Sequence, residues 1–123
     1  MPFAVQELLN LSDPDAVLAE DVTFHSPIRS YTGRADVAHL FTTIGQVLTG
    51  IEEQHRHVSG ARSLAEFTGR AGEDTLNGVF VQVADEQGRL VEATLLLRPF
   101  AELRASIMRM AELLEAHPLP SKR

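Results

Sequence analysis

The sequence has no cysteine, no tryptophan and a single tyrosine, Tyr31, among its 123 residues. The lack of cysteine excludes a disulfide framework and thiol chemistry, and it fits a reducing compartment. No apolar run approaches the roughly 20 residues that a membrane helix needs. The first residues, MPFAVQELLNL, lack the basic start and the cleavage pattern of a signal peptide. We therefore expect a cytoplasmic protein with no membrane partner.

Basic residues are outnumbered, with 11 Lys and Arg against 17 Asp and Glu, and the net charge is −6. Nucleic-acid binding depends on a basic footprint that releases counterions, so we expect no nucleic-acid partner. The sequence pattern contains neither a glycine-rich phosphate loop nor a metal triad, and we expect no cofactor. The length suits a single domain, which we place at residues 1–117, followed by a short loose tail at 118–123.

Hydrophobic periodicity divides the chain into helices first and strands later. Apolar residues three and four apart indicate helices, and alternation with a period of two indicates strands. These patterns predict helices at 2–11, 12–21, 34–49 and 100–117, a short strand at 22–26, a loop or very short strand at 28–33, and long strands at 51–60, 61–70, 75–85 and 89–99. This order is typical of an α+β fold. We expect a curved antiparallel sheet wrapped around helices, as a cone whose open mouth suits a small ligand.

Two segments resemble a known superfamily. The stretch LAEDVTFHSPIRSYTGRADVAHLFTTI combines a helix ending in Glu20-Asp21, a short strand, Pro27, a loop with Gly33 and an amphipathic helix. The stretch VADEQGRLVEATLLLRPFAELRASI has a hairpin, a long strand ending in Arg98, and a helix. Together they resemble the nuclear transport factor 2-like (NTF2-like) superfamily, which includes ketosteroid isomerases and SnoaL-like cyclases, and in particular an uncharacterised bacterial branch. The resemblance implies a cone-shaped, cystatin-like α+β barrel and a homodimer through the outer sheet face.

The same resemblance allows the isomerase chemistry to be checked residue by residue. The position of the general-base aspartate, just before the proline that follows the first strand, holds Ser26. The position of the protonated aspartate of the oxyanion hole holds Phe80, and the expected tyrosine of a long first helix is missing because Tyr31 lies in the loop. Serine is not a base near neutral pH without an activator, and a phenyl ring donates no hydrogen bond. We therefore predict that the chain is not a steroid-type isomerase.

Three residues remain as candidates for chemistry. His25 is a candidate general base, because histidine is the residue type that ionises near neutral pH, and Tyr31 is a second candidate for proton transfer. Ser26 is a candidate hydrogen-bond donor. Because neighbours in a strand point to opposite faces, Ser26 and His25 cannot pair, and if Ser26 faces the cavity then His25 faces away from it.

The predicted cavity wall is mostly apolar. Its residues are Phe24, Ser26, Phe41, Phe80, Ala93, Leu95 and Leu97, with Tyr31 and Met108 as further candidates. Arg98 either binds an anionic ligand or pairs with Glu92, Glu102 or Asp21. His55 and His57 share one face of a strand, but no third ligand follows from the spacing, so we predict a solvated face and no metal site.

The sequence thus leaves two classes of function open. One is a protein that binds a small apolar molecule in the cone, either as a binder or as a cofactor-independent isomerase, cyclase or lyase. The alternative is a non-catalytic dimeric interaction module. An open cavity favours the first class, and a cone filled by phenylalanines favours the second.

Overall fold

The computed structural model describes residues 2–123 as one curved sheet with helices on its concave side. In chain order the elements are α1 (Val5–Leu8), α2 (Pro14–Val17), β1 (Leu18–His25), β2 (Ser30–Thr32), α3 (Arg34–Val47), β3 (Thr49–Ser59), β4 (Arg62–Ala71), β5 (Asp74–Ala84), β6 (Leu90–Arg98), α4 (Phe100–Ala116) and a 3-10 turn at Pro120–Lys122. The α+β cone predicted from the sequence is confirmed.

The six strands lie in the order β2-β1-β6-β5-β4-β3. All neighbouring pairs are antiparallel except β1 and β6, which run parallel, and this pair differs from the fully antiparallel sheet that we expected. The pairing register shifts within three of the pairs, including β3 with β4 between Glu53 and His55. Such bulges bend a strand and increase its twist, which helps to curl the sheet into a cone.

The first strand begins four residues earlier than predicted. Residues 18–21 were assigned to a helix, but they form the start of β1, where Leu18 is paired with Leu90 of β6. Leu18 is fully buried. The long-range contact with β6 therefore overrides the helix-forming composition of this segment.

Helix α3 follows its predicted amphipathic pattern and lies against the concave face of the sheet. Val37, Leu40, Phe41 and Ile44 are all buried. The helix starts after Gly33. Its φ of 109° lies in a region that favours glycine, so a glycine suits the turn that leads into the helix. The Gly33 amide also donates to the Val22 carbonyl oxygen at 2.9 Å, which ties the helix start to β1.

The N-terminal segment is held on the concave face by buried and half-buried polar groups. The Gln82 side chain, only 3% exposed, accepts from the Phe3 amide at 3.0 Å and donates to the Phe3 carbonyl oxygen at 2.6 Å. Arg56 donates to the same carbonyl oxygen at 3.0 Å, and Glu53 accepts from the Val5 amide at 2.9 Å. These contacts satisfy polar groups that would be costly to leave unpaired inside the fold.

The C-terminal residues differ from the loose tail that we expected. Leu119 is buried in the hydrophobic core at 8% exposure. Ser121 then donates from its hydroxyl and its amide to the Asp36 carboxylate, at 2.6 and 3.0 Å. Because Asp36 lies in the first turn of α3, the chain end is attached to the start of that helix.

Within residues 2–123, none of the helices combines the length and the apolar composition that crossing a bilayer requires.

Candidate functional site

A cavity of about 230 Å³ opens between the concave face of the sheet and the helices α3 and α4. Its wall is formed mainly by aliphatic and aromatic side chains. The lining residues are Phe24, Ser26, Pro27, Ile28, Arg29, Tyr31, Leu40, Ile44, Val47, Leu48, Leu76, Leu95, Leu97, Leu103, Ser106, Ile107, Met110, Ala111 and Leu114. No aspartate, glutamate or histidine of residues 2–123 belongs to this wall. Among the described residues, the wall therefore offers no carboxylate or imidazole that could act as a general acid or base.

Three phenylalanines fill the interior behind this cavity. Phe24 meets Phe41 edge-to-face with 5.0 Å between the ring centroids, and Phe41 meets Phe80 at 6.1 Å. All three rings are buried. Only Phe24 reaches the cavity wall, whereas Phe41 and Phe80, which we expected there, are enclosed by the packing of this cluster. The cone is therefore partly filled and partly open.

Ser26 lies in the wall as expected, but its hydroxyl is already engaged. It donates to the Arg29 carbonyl oxygen at 2.8 Å, and it accepts from the amides of Ile28 and Arg29 at 3.2 and 3.1 Å. A serine hydroxyl has one proton and two lone pairs, so this turn uses its full capacity. The structure thus gives Ser26 a role in shaping the loop between β1 and β2, whereas we expected it to donate a hydrogen bond to a ligand.

His25 lies on the outer face of the sheet, opposite to the cavity. Alternation along β1 requires this, because its neighbours Phe24 and Ser26 both face inward. Its Nε2 atom lies 3.0 Å from Glu92 Oε2, and its Nδ1 atom is hydrogen-bonded to the Ser30 hydroxyl. These contacts connect β2, β1 and β6, and they place the imidazole where a ligand in the cone cannot meet it.

Tyr31 is the remaining candidate for proton transfer, and it lies in the cavity wall. It is half-buried on β2 directly opposite Phe24. Its hydroxyl has no hydrogen-bond partner among the residues described. A tyrosine hydroxyl can donate and accept a hydrogen bond, so it is available to orient a polar atom of a ligand.

The last strand confirms the predicted alternation. Ala93 and Leu95 are buried, and Leu95 and Leu97 line the cavity, while Leu96 between them is 56% exposed on the outer face. Arg98, which we expected at the mouth or in an ion pair, is exposed at the strand end and is not part of the wall. Within residues 2–123 it makes no ion pair with the three carboxylates considered, and Glu92 instead pairs with His25.

Sequence reasoning missed two parts of the wall. One is Arg29. Its place in the loop after Pro27, which ends the first strand, could have indicated that it lies near the cavity. The other is one side of α4, which contributes Leu103, Ile107 and Met110 to the wall. Met108, the methionine that we considered, is 61% exposed on another side of the helix.

The two histidines of β3 lie on the outer face of the sheet. His55 and His57 pair with Glu66 and Leu64 of β4 on the outer face, and His57 Nε2 lies 3.7 Å from Glu66 Oε2. Among residues 2–123 there is no group of three or more His, Asp and Glu side chains that could hold a metal ion.

Comparison with known proteins finds no matching protein-family model and no matching curated protein, but many similar solved structures. A bacterial protein with a cystatin-like fold from Silicibacter pomeroyi is 27% identical, with a TM-score of 0.85 over 93% of this chain and 82% of that one. A steroid delta-isomerase from Pseudomonas aeruginosa is 26% identical, with a TM-score of 0.84 over 92% of this chain and 85% of that one.

A third similar structure carries the superfamily name. It is an NTF2-like protein of unknown function from Mesorhizobium loti, 20% identical, with a TM-score of 0.64 over 76% of this chain and 84% of that one. The sheet order, the helices on the concave face and these likenesses agree with the resemblance at both ends of the sequence. The chain therefore has an NTF2-like fold.

Proposed function

We propose that the chain binds a small apolar molecule in its cavity. The observation that supports this most directly is the open space of about 230 Å³ beside the packed phenylalanines. Pockets for drug-sized ligands span roughly 300–1,000 Å³, so this one suits a smaller molecule, such as a single ring or a short chain. Burial of apolar surface supplies the affinity, and Phe24, Leu95 and Leu97 supply part of the contact surface.

The cavity wall favours binding over catalysis of the steroid-isomerase kind. Such chemistry needs a carboxylate base and a donor that stabilises the enolate oxygen. The wall offers only Arg29, the Tyr31 hydroxyl, and the Ser26 and Ser106 hydroxyls, and those of Ser26 and Ser106 face the Arg29 and Glu102 carbonyl oxygens. If the chain is an enzyme, Tyr31 is the residue of the wall that we expect to act on the substrate.

A matched pair of variants tests binding in the cavity. Leu97→Trp places a larger side chain in the wall, and Leu96→Trp makes the same change one residue away on the outer face, outside the cavity wall. With 1-octanol as the probe in titration calorimetry, we expect Leu97→Trp to abolish binding and Leu96→Trp to leave it unchanged. Equal affinity in both variants would place the site elsewhere and refute the proposal.

We also propose that the outer face of the sheet pairs with a second copy of the chain. Val79 lies opposite Leu96, and Val81 lies opposite both Thr94 and Leu64, so apolar side chains from three strands adjoin each other there. The helices described above pack on the other face, and Leu96 is 56% exposed. Apolar patches of this kind often mark protein interfaces, and the superfamily resemblance suggests a homodimer.

Light scattering after size exclusion tests the dimer. The expected mass is about twice the 13.5 kDa of one chain. Leu96→Arg should give a monomer, because an unpaired charge in an interface core is costly. Val58→Arg is the control, since Val58 is 57% exposed but paired with the inward-facing Ser63. A monomer for the unchanged protein at micromolar concentration would refute this second proposal.

A further inference from the structure

Arg29 is the single charged residue in the cavity wall formed by residues 2–123. It is exposed overall, as is its neighbour Ile28 at 58%, so the two residues form the rim where the cavity meets solvent. Its guanidinium makes no ion pair with the described carboxylates, whereas Arg34, Arg56 and Arg109 are paired. An apolar cavity therefore opens beside one unpaired positive charge.

The backbone position of Arg29 is set by the turn that Ser26 organises. The Ser26 amide and hydroxyl both donate to the Arg29 carbonyl oxygen, at 2.9 and 2.8 Å, and the Arg29 amide donates back to the hydroxyl at 3.1 Å. The backbone of Arg29 is thus ordered before any ligand arrives. Only the Arg29 side chain then has to become ordered when a ligand binds, which lowers the entropic cost of using this residue as an anchor.

The combination of an apolar space and a single cation selects a particular ligand chemistry. A hydrocarbon group gains from burial against the aliphatic wall. A carboxylate attached to it remains at the rim, where it accepts charge-assisted hydrogen bonds from the planar guanidinium and keeps much of its hydration. A cationic group at the same place would be repelled, and a neutral alcohol would gain little.

We propose that the cavity takes a small apolar monocarboxylate, with its hydrocarbon part against Leu95 and Leu97 and its carboxylate on Arg29. This inference rests on the proposed binding function and specifies its ligand class. Ser26 acts as a positioning residue, because it holds the Arg29 backbone and its own hydroxyl is fully used.

Titration calorimetry with three probes of equal chain length separates two claims. One is binding in the cavity, and the other is recognition of a carboxylate by Arg29. We expect octanoate to bind about tenfold more tightly than 1-octanol, which corresponds to one charge-assisted hydrogen bond. Octylamine should bind more weakly than 1-octanol. Added salt should weaken octanoate binding and leave 1-octanol binding nearly unchanged, because salt screens exposed charge pairs.

Arg29→Gln is the decisive variant, and Arg98→Gln is its matched control, because Arg98 is an exposed arginine outside the cavity. We expect Arg29→Gln to lower octanoate affinity to that of 1-octanol without changing 1-octanol binding or the melting temperature. Arg98→Gln should change nothing. If Arg29→Gln keeps the preference for octanoate, or if the unchanged protein has no such preference, the assignment of Arg29 is wrong while cavity binding stands. If none of the three probes binds, the proposed binding function fails together with this inference.

Discussion

Removing the Ser26 hydroxyl gives the most direct test of how this site is built. In Ser26→Ala the hydrogen bond to the Arg29 carbonyl oxygen and the two from the amides of Ile28 and Arg29 are lost. A net intramolecular hydrogen bond contributes about 0.5–1.5 kcal/mol, but water can replace some of these contacts because the loop is partly exposed. Loss of a comparable hydroxyl-to-backbone contact at a helix N-cap costs about 0.5–2 kcal/mol. We therefore expect a loss of about 1–2 kcal/mol in the free energy of unfolding, within the range of those two effects.

Urea denaturation followed by circular dichroism measures this loss, with thermal melting as a second readout. For a domain of this length each kcal/mol lowers the melting temperature by about 3–5 °C. Ser59→Ala is the matched control, since Ser59 is exposed at the end of β3 and makes no side-chain hydrogen bond with the described residues. Ser26→Thr should retain most of the stability because it keeps the hydroxyl. If Ser26→Ala is as stable as the unchanged protein, the contacts contribute nothing and the hydroxyl is free to serve a ligand.

The remaining predictions concern packing, and urea denaturation measures each of them. Gly45→Ala should destabilise the protein by about 1–3 kcal/mol, because the new Cβ would overlap the Leu9 backbone oxygen. The exposed neighbour substitution Gln46→Ala should stay within about 0.5 kcal/mol, and equal effects of the two would contradict the close approach of α1 and α3. Phe41→Ala should cost about 3–5 kcal/mol, because Phe41 is fully buried in the aromatic cluster. A cost below about 1 kcal/mol would mean that this cluster is loosely packed.

Several features of the fold followed from local sequence patterns. The alternation of Phe80 and Gln82 with the valines of β5, and the spacing of Val37, Leu40 and Phe41 along α3, identified these elements correctly. Such patterns are reliable because the two sides of a strand or helix meet different environments. Alternation also predicted that His25 and Ser26 lie on opposite faces of the sheet, so that one faces outward when the other faces the cavity.

Other features depend on contacts between distant parts of the chain. The parallel pairing of β1 with β6 turned residues 18–21 from a predicted helix into a strand. The burial of Leu119 attached a segment whose composition suggested a loose end. Local propensity could not reveal either one, because each is stabilised by partners far away in the sequence.

The cavity also combines features that the sequence determined with features that only the fold decided. From its own amino acids the chain determined an α+β cone of the NTF2-like type, an apolar interior and the absence of aspartates at the positions required for steroid isomerisation. Only the tertiary structure decided that the Ser26 hydroxyl is consumed by its own loop and that Arg29, not Arg98, lines the open space. The physical reason is that a sequence specifies which groups can donate, accept or carry charge, whereas the folded backbone decides which of them already have partners.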